Sequence, residues 1–162
     1  STGEEPYTLA FEAHDFFGAS FISNGGLRIL GSDVNTDVLE SAIHGCYAEK
    51  LLSPIPDSFR RRYFTSESEK LNSHNQIKTE IQRLIQFRQF NLMSAEYPIA
   101  TKFQLIFCRN VLYYLQPERR EFLIRKLVDH LEEGGWLVLG ITESGYSIDK
   151  MEKHSISIYQ KT

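Results

Sequence analysis

One short apolar run, Phe103-Gln104-Leu105-Ile106-Phe107-Cys108, most constrains what this chain can become. It suits a fully buried strand, and it stops abruptly at Arg109-Asn110. An apolar-aromatic group, Val111 to Tyr114, follows, and then Gln116-Pro117 opens a helix. In open parallel α/β sheets, ligands bind in the crevice just beyond the carboxyl ends of the strands. Arg109, Asn110 and Tyr114 are therefore candidates for such a crevice. The same pattern also describes a core strand that reaches the surface, with Asn110 turning the chain.

The flanking segments supply the rest of an α/β pattern. Thr2 with Glu5, and Ser1 with Glu4, have capping-box spacing, and the helix they start presents Leu9, Ala10, Ala13 and Phe17 on one face. Ser23 to Gly26 turns the chain into a short buried strand, Leu27 to Leu30, ending at Gly31-Ser32-Asp33. Asn35 or Thr36 then caps a helix with the apolar face Val38, Leu39, Ala42 and Ile43, closed by Gly45. Strand, polar turn and helix make half of a βαβ unit.

Residues 54–86 read as a small inserted subdomain of two short strands and a helical turn. Pro54 and Pro56 break its pattern, Phe59 to Phe64 is basic and aromatic, and Thr65 to Gln76 is polar and exposed. Phe87 to Leu92 is the next strand, ending at Asn91. The helix after Pro117 carries Leu123, Ile124, Leu127, Val128 and Leu131 and stops at Gly134-Gly135. Trp136 to Ile141 forms another buried strand, and Ser155 to Tyr159 alternates as an antiparallel strand does. These elements imply an α/β fold with a mainly parallel sheet, covered on both faces, and one antiparallel terminal strand.

With 162 residues the chain is one domain's worth, and a net charge of −3 gives no global field toward nucleic acid. The Arg60-Arg61-Arg62 run reads as a solvated or partner-facing patch. No apolar run approaches the ~20 residues of a membrane span, and no signal peptide is visible. Cys46 and Cys108 form neither a disulfide framework nor a CxxC pair, so a cytoplasmic setting is the default expectation. The five histidines have no partner at metal-ligand spacing, and there is no nucleophile elbow or P-loop. Expected partners therefore include no nucleic acid, no membrane insertion and no metal.

Several residues remain as candidates for chemistry. Asp33, at a strand's end, is placed to accept both hydroxyls of a ribose, or else to cap the next helix. Glu4 and Glu5, at a helix start, are either caps or acceptors of a cationic ligand group. Asn91 and Asn110 both follow apolar strands, as turn-formers or as ligand contacts.

Ser1-Thr2-Gly3-Glu4-Glu5-Pro6-Tyr7, Gly31-Ser32-Asp33-Val34-Asn35, Phe90-Asn91-Leu92 and Ile106 to Tyr114 resemble the CheR family of chemoreceptor glutamate methyltransferases. Gly134-Gly135-Trp136-Leu137 and Gly140-Ile141-Thr142-Glu143-Ser144 extend the match over essentially the whole chain. The resemblance implies a class I S-adenosylmethionine-dependent methyltransferase, with a Rossmann-like sheet ending in an antiparallel hairpin. It implies methyl esterification of glutamate side chains on the cytoplasmic domains of chemoreceptors, leaving S-adenosylhomocysteine. By resemblance, Glu5 with Glu4 beside it meets the methionine amino end, Asp33 the ribose, and Asn91-Leu92 the adenine. Arg109-Asn110 lines the methionine side, and Arg109 and Tyr114 face the substrate carboxylate.

That chemistry needs little from the protein beyond positioning. A glutamate carboxylate, with a pKa near ~4.3, is already ionised at neutral pH. An arginine can hold it bidentately, and a tyrosine can orient one oxygen or offer a ring to the sulfonium. The family also carries a strand with a Gly/Ala-Cys pair before the first motif, and a helical domain before that. This chain opens on the motif itself, so the resemblance points to a catalytic domain lacking its first strand, with another chain or segment filling the slot. Asn35 stands where a second acid is frequent, and Leu115-Gln116 replaces a common Phe-Asp. Two other readings stay open: a regulatory module that binds cofactor or partner without catalysis, and a methyltransferase with another acceptor.

Overall fold

The computed structural model describes residues 2–66, 74–143 and 145–162. The chain forms two compact units, Ser1–Asn91 and Leu92–Thr162. Each has its own hydrophobic cluster.

In the first unit, helix α1 (Glu4–Phe17) is followed by a single turn, α2 (Ala19–Phe21), and strand β1 (Ile29–Asp33). Helix α3 (Thr36–His44) leads to strand β2 (Cys46–Ala48) and the short helices α4 (Glu49–Leu52) and α5 (Asp57–Tyr63). Strands β3 (Phe64–Ser66) and β4 (His74–Ile77), helix α6 (Thr79–Gln82) and strand β5 (Ile85–Gln89) complete it. β1 and β5 pair in parallel, in register from Ile29↔Ile85 to Asp33↔Gln89. The small strands form a separate antiparallel sheet in the order β2-β4-β3. The expected pair of short strands is thus a triplet, because Cys46–Ala48 joins it, and the Arg60-Arg61-Arg62 run lies on helix α5.

Several local expectations change here. The Thr2–Glu5 capping box does not form: Gly3 occupies the N-cap at φ 97°, and the Thr2 hydroxyl bonds the Glu4 side chain instead. The Ser1–Glu4 alternative lies outside the described residues. α1 buries Tyr7, Ala10 and Phe11 rather than the face ending at Phe17. The inner side of the helix follows its aromatic partners: Phe11 stacks on Tyr63 with centroids 4.6 Å apart, whereas Phe17 stacks on Phe21 at the surface. On α3, Leu39 and Ala42 are buried but Ile43 is exposed. Asn35 caps this helix, its side chain accepting from Asp37 N–H and Val38 N–H, and Gly45 closes it at φ 60°.

β1 starts and ends later than the apolar letters suggest. Only Gly31 of the strand is buried, because β5 is its one ladder partner among the described residues. β5 ends at Gln89, not Asn91. There the Gln89 amide donates to Val34 O and the Phe90 N–H to Asp33 O, closing the ladder.

The second unit holds β6 (Phe103–Cys108), α7 (Pro117–Asp129), β7 (Leu131–Leu139), β8 (Met151–Lys153) and β9 (Ile158–Lys161). Its sheet runs β6-β7-β9-β8, with β6 parallel to β7 and β9 antiparallel to both β7 and β8. The terminal antiparallel element is therefore a hairpin. α7 begins with Pro117 at its first turn and packs Leu123, Ile124, Leu127 and Val128 against Leu131, Leu137, Leu139 and Tyr159.

Three expectations are corrected in this unit. β6 is not fully buried: Leu105 is 48% exposed and Cys108 alone is buried, since β7 is the strand's one ladder partner among the described residues. α7 stops at His130, and Gly134-Gly135 belong to β7, where Gly134 (φ 75°) takes up the irregularity that shifts the register between Phe103 and Leu105. Ile156 lies before β9 and is exposed, in a turn whose His154 and Ser155 N–H groups both bond Ile158 O.

Candidate active site

The first unit gathers several of the expected residues at one end of its parallel pair. Asp33 is the last residue of β1, and its ladder partner Gln89 lies two positions before Asn91. Asp33 does not cap α3; its Oδ1 instead accepts the Asn35 N–H at 3.0 Å. Burial pushes its carboxyl up, and the Asn35 N–H is the strongest influence pulling it down, for a net value below the ordinary carboxylate range. A half-buried, ionised acceptor at a strand's carboxyl end suits a ribose diol.

Glu4 and Glu5 form the first turn of α1, with Glu4 exposed and Glu5 half-buried. The helix start lies against β1, since a Cβ on Gly31 would come 3.5 Å from Pro6 Cγ. Gly3 enters the helix through a narrow gap. A Cβ there would meet Ala42 Cβ and Tyr47 Oη at 3.0 Å, and Tyr47 donates its hydroxyl to Thr2 O at 2.8 Å. The backbone of the first motif is thus held from α3 and β2. A groove of about 340 Å3 lined by Tyr7, Gln82, Arg83, Ile85 and Phe87 lies elsewhere in this unit and contains none of the expected residues.

In the second unit, Arg109 and Asn110 follow β6 directly and are exposed. Asn110 has a left-handed backbone, φ 60°, which asparagine tolerates better than most residues. Tyr114 ends a 3-10 turn, Leu112–Tyr114, and is 82% exposed, while Leu112 is fully buried beneath it. The Tyr113 and Tyr114 rings meet edge to face at 5.7 Å. Leu92 packs against the unit's core, and its carbonyl accepts the Tyr97 hydroxyl at 2.5 Å.

Two features had no assigned role in the sequence. Lys126 on α7 lies 3.7 Å over the Tyr97 ring and donates to Ser94 O and Ala95 O, so it ties down the loop that follows Leu92. Glu143, only 3% exposed, accepts Asn110 N–H at 2.7 Å, Tyr113 N–H at 3.0 Å and Gly140 N–H at 3.2 Å. Its position inside the Gly140-Ile141-Thr142-Glu143 motif was the available signal.

Residues 1–159 match the family model described as "CheR methyltransferase, SAM binding domain". The chain belongs to the CheR methyltransferase family. The chemotaxis protein methyltransferase of Borreliella burgdorferi is 30% identical over 99% of this chain and 56% of its own length. That of Klebsiella aerogenes is 32% identical over 93% of this chain and 51% of its own, and chemotaxis protein methyltransferase 2 of Pseudomonas aeruginosa 33% over 89% and 50%. The chain thus spans about half the length of these curated relatives. As a CheR-family domain it has the class I S-adenosylmethionine-dependent methyltransferase fold. Among the described residues the sheets are mixed rather than mainly parallel, with a parallel β1–β5 pair in the first unit and, in the second, a parallel β6–β7 pair followed by antiparallel β9 and β8. Among the described residues, no helix is long and apolar enough to cross a membrane.

Proposed function

We propose that this chain is the core of an enzyme that transfers a methyl group from S-adenosylmethionine to glutamate carboxylates on the cytoplasmic domains of chemoreceptors. The observation that carries this reading is the match of residues 1–159 to the CheR S-adenosylmethionine-binding domain.

The residues present fit that cofactor. Asp33 offers an ionised acceptor for the ribose hydroxyls, and Asn91-Leu92 borders the adenine. By the family resemblance, Glu5 with Glu4 beside it receives the ammonium of the methionine end, and Arg109-Asn110 takes the role of lining the methionine moiety. Bound S-adenosylmethionine supplies an electrophilic sulfonium methyl. Arg109 orients the acceptor carboxylate and balances its charge, holding it loosely enough to leave its oxygen nucleophilic. Tyr114 directs one carboxylate oxygen by a hydrogen bond. Both side chains are exposed, as contact with a protein substrate demands. Their work is positioning, which can account for a large part of a rate enhancement.

The test is calorimetric titration of the full protein with S-adenosylmethionine, followed by labelled methyl transfer to a receptor cytoplasmic domain. Saturable binding and alkali-labile label on glutamate are expected. Binding without transfer would make it a regulatory module, and alkali-stable label would mean another acceptor.

A further inference from the structure

We propose that Glu143 is a positioning residue for methyl transfer: its buried carboxylate sets the backbone geometry of the loop that carries Arg109, Asn110 and Tyr114. This rests on the functional reading above, in which that loop faces cofactor and acceptor.

The loop leaves β6 through a left-handed residue. Asn110 sits at φ 60°, a conformation that asparagine tolerates but that still needs its neighbours to hold the chain there. Glu143 provides that hold. Its Oε2 takes the Asn110 and Gly140 N–H groups together, and its Oε1 takes the Tyr113 N–H. Two bonds therefore span the loop on either side of Val111-Leu112, and the third locks the carboxylate to the end of β7. Charge-assisted bonds of this kind are shorter and stronger than neutral ones.

The surroundings are shaped for the carboxylate. A Cβ on Gly140 would lie 2.5 Å from Glu143 Oε2 and 3.3 Å from Asn110 N, so glycine is what allows the carboxylate to reach the loop. A second brace acts from the other side. Arg120 on α7 donates Nε–H to Leu115 O at 2.7 Å and an Nη2 hydrogen to Tyr113 O at 3.4 Å. Tyr113 is thus gripped at its N–H by Glu143 and at its carbonyl by Arg120. Its neighbour Tyr114 is almost fully solvent-facing, with no burial of its own to fix it. The precision of Tyr114 is borrowed from this backbone frame.

Glutamine is close in shape and gives a graded test. Its single carbonyl oxygen can keep the Asn110 and Gly140 bonds, but its NH2 would face the Tyr113 N–H, donor against donor. Glu143→Gln and Glu143→Ala are compared in the full protein by amide hydrogen exchange and by methyl transfer to a receptor domain. Exchange at Tyr113 should rise at least about tenfold in both, and at Asn110 and Gly140 chiefly in the alanine variant, with Leu127 and Leu137 amides unchanged. At saturating substrates kcat should fall about tenfold for Gln and about 100-fold for Ala, while acceptor KM and S-adenosylhomocysteine affinity move less than about threefold. Unchanged exchange overturns the anchor, and raised exchange with wild-type kcat overturns the positioning role. If Glu143→Ala does not fold, the near-isosteric Gln variant decides. A wild-type protein that transfers no methyl group overturns the functional reading, and the positioning role with it; that failure shows in the control, not in the variants.

Discussion

The Tyr7 hydroxyl on α1 donates to the Ala42 carbonyl on α3 at 2.8 Å, and both residues are essentially buried. This bond joins the helix that begins with the first motif to the helix that follows Asp33. Burial pushes the Tyr7 hydroxyl up to about 12. The folded state therefore holds a proton that the unfolded chain, with its tyrosines near pH ~10, gives up. Below pH ~10 both states are protonated and the contribution is complete; between ~10 and ~12 the unfolded chain binds fewer protons and stability falls with pH. Tyr97 in the second unit, also raised to about 12 by burial, adds in the same direction. Tyr7→Phe should cost about 1–2 kcal/mol at neutral pH and flatten this alkaline loss. Urea denaturation at pH 7 and at pH 11 checks both.

Asp33 and Asn35 are two residues apart, and in the proposed function they have different tasks: Asn35 caps α3, and Asp33 is assigned to the ribose. Asn35→Ala removes the α3 cap and should cost about 1 kcal/mol of stability, with S-adenosylhomocysteine affinity little changed. Asp33→Ala should do the opposite, weakening affinity about 10- to 100-fold through loss of a charged acceptor. Thermal melts and calorimetry on both variants test this separation; equal effects of the two on affinity would remove Asp33 from the ribose role.

Lys161 is a buried lysine with a structural task. Its Nζ donates to Val128 O at 3.1 Å and Leu131 O at 3.0 Å, and pairs with Glu133 Oε1 at 3.2 Å. It closes the end of α7 and the start of β7 from the last strand. Lys161→Met leaves both carbonyls without this donor and should cost about 1–3 kcal/mol. Glu133→Gln, at an exposed partner, should cost less than about 1 kcal/mol. Chemical denaturation distinguishes the two.

Arg109→Lys keeps the charge but loses the planar fork. kcat/KM for a receptor domain should fall at least about tenfold, with stability within about 0.5 kcal/mol because the side chain is exposed. Methyl transfer under subsaturating acceptor reads the first and a thermal melt the second.

Local chemistry made some features legible from the residues alone. Pro117 starts a helix, the cap of another lies at Asn35 or Thr36, of which the structure selects Asn35, and Gly45 ends that helix, because each acts on the backbone next to it. The 3.6-residue stripe of α7 named Leu123, Ile124, Leu127 and Val128 as buried for the same reason, while Leu131, counted on that face, belongs to β7. Asp33 and Arg109-Asn110 were found at strand ends because an apolar run that stops at a polar residue is a local pattern.

What the sequence could not decide depends on partners distant along the chain. α1 turned its Tyr7–Phe11 side inward because Tyr63 lies there, and only packing brings residue 63 to residue 11. Cys46–Ala48 became a strand because β4, almost thirty residues on, pairs with it. A short segment's own preference is weak beside its ladder partner's. The same holds at the candidate site. The sequence alone placed Asn110 at a strand end, but its left-handed backbone is held by Glu143, 33 positions away, and a periodicity or a turn signal carries no information across that distance.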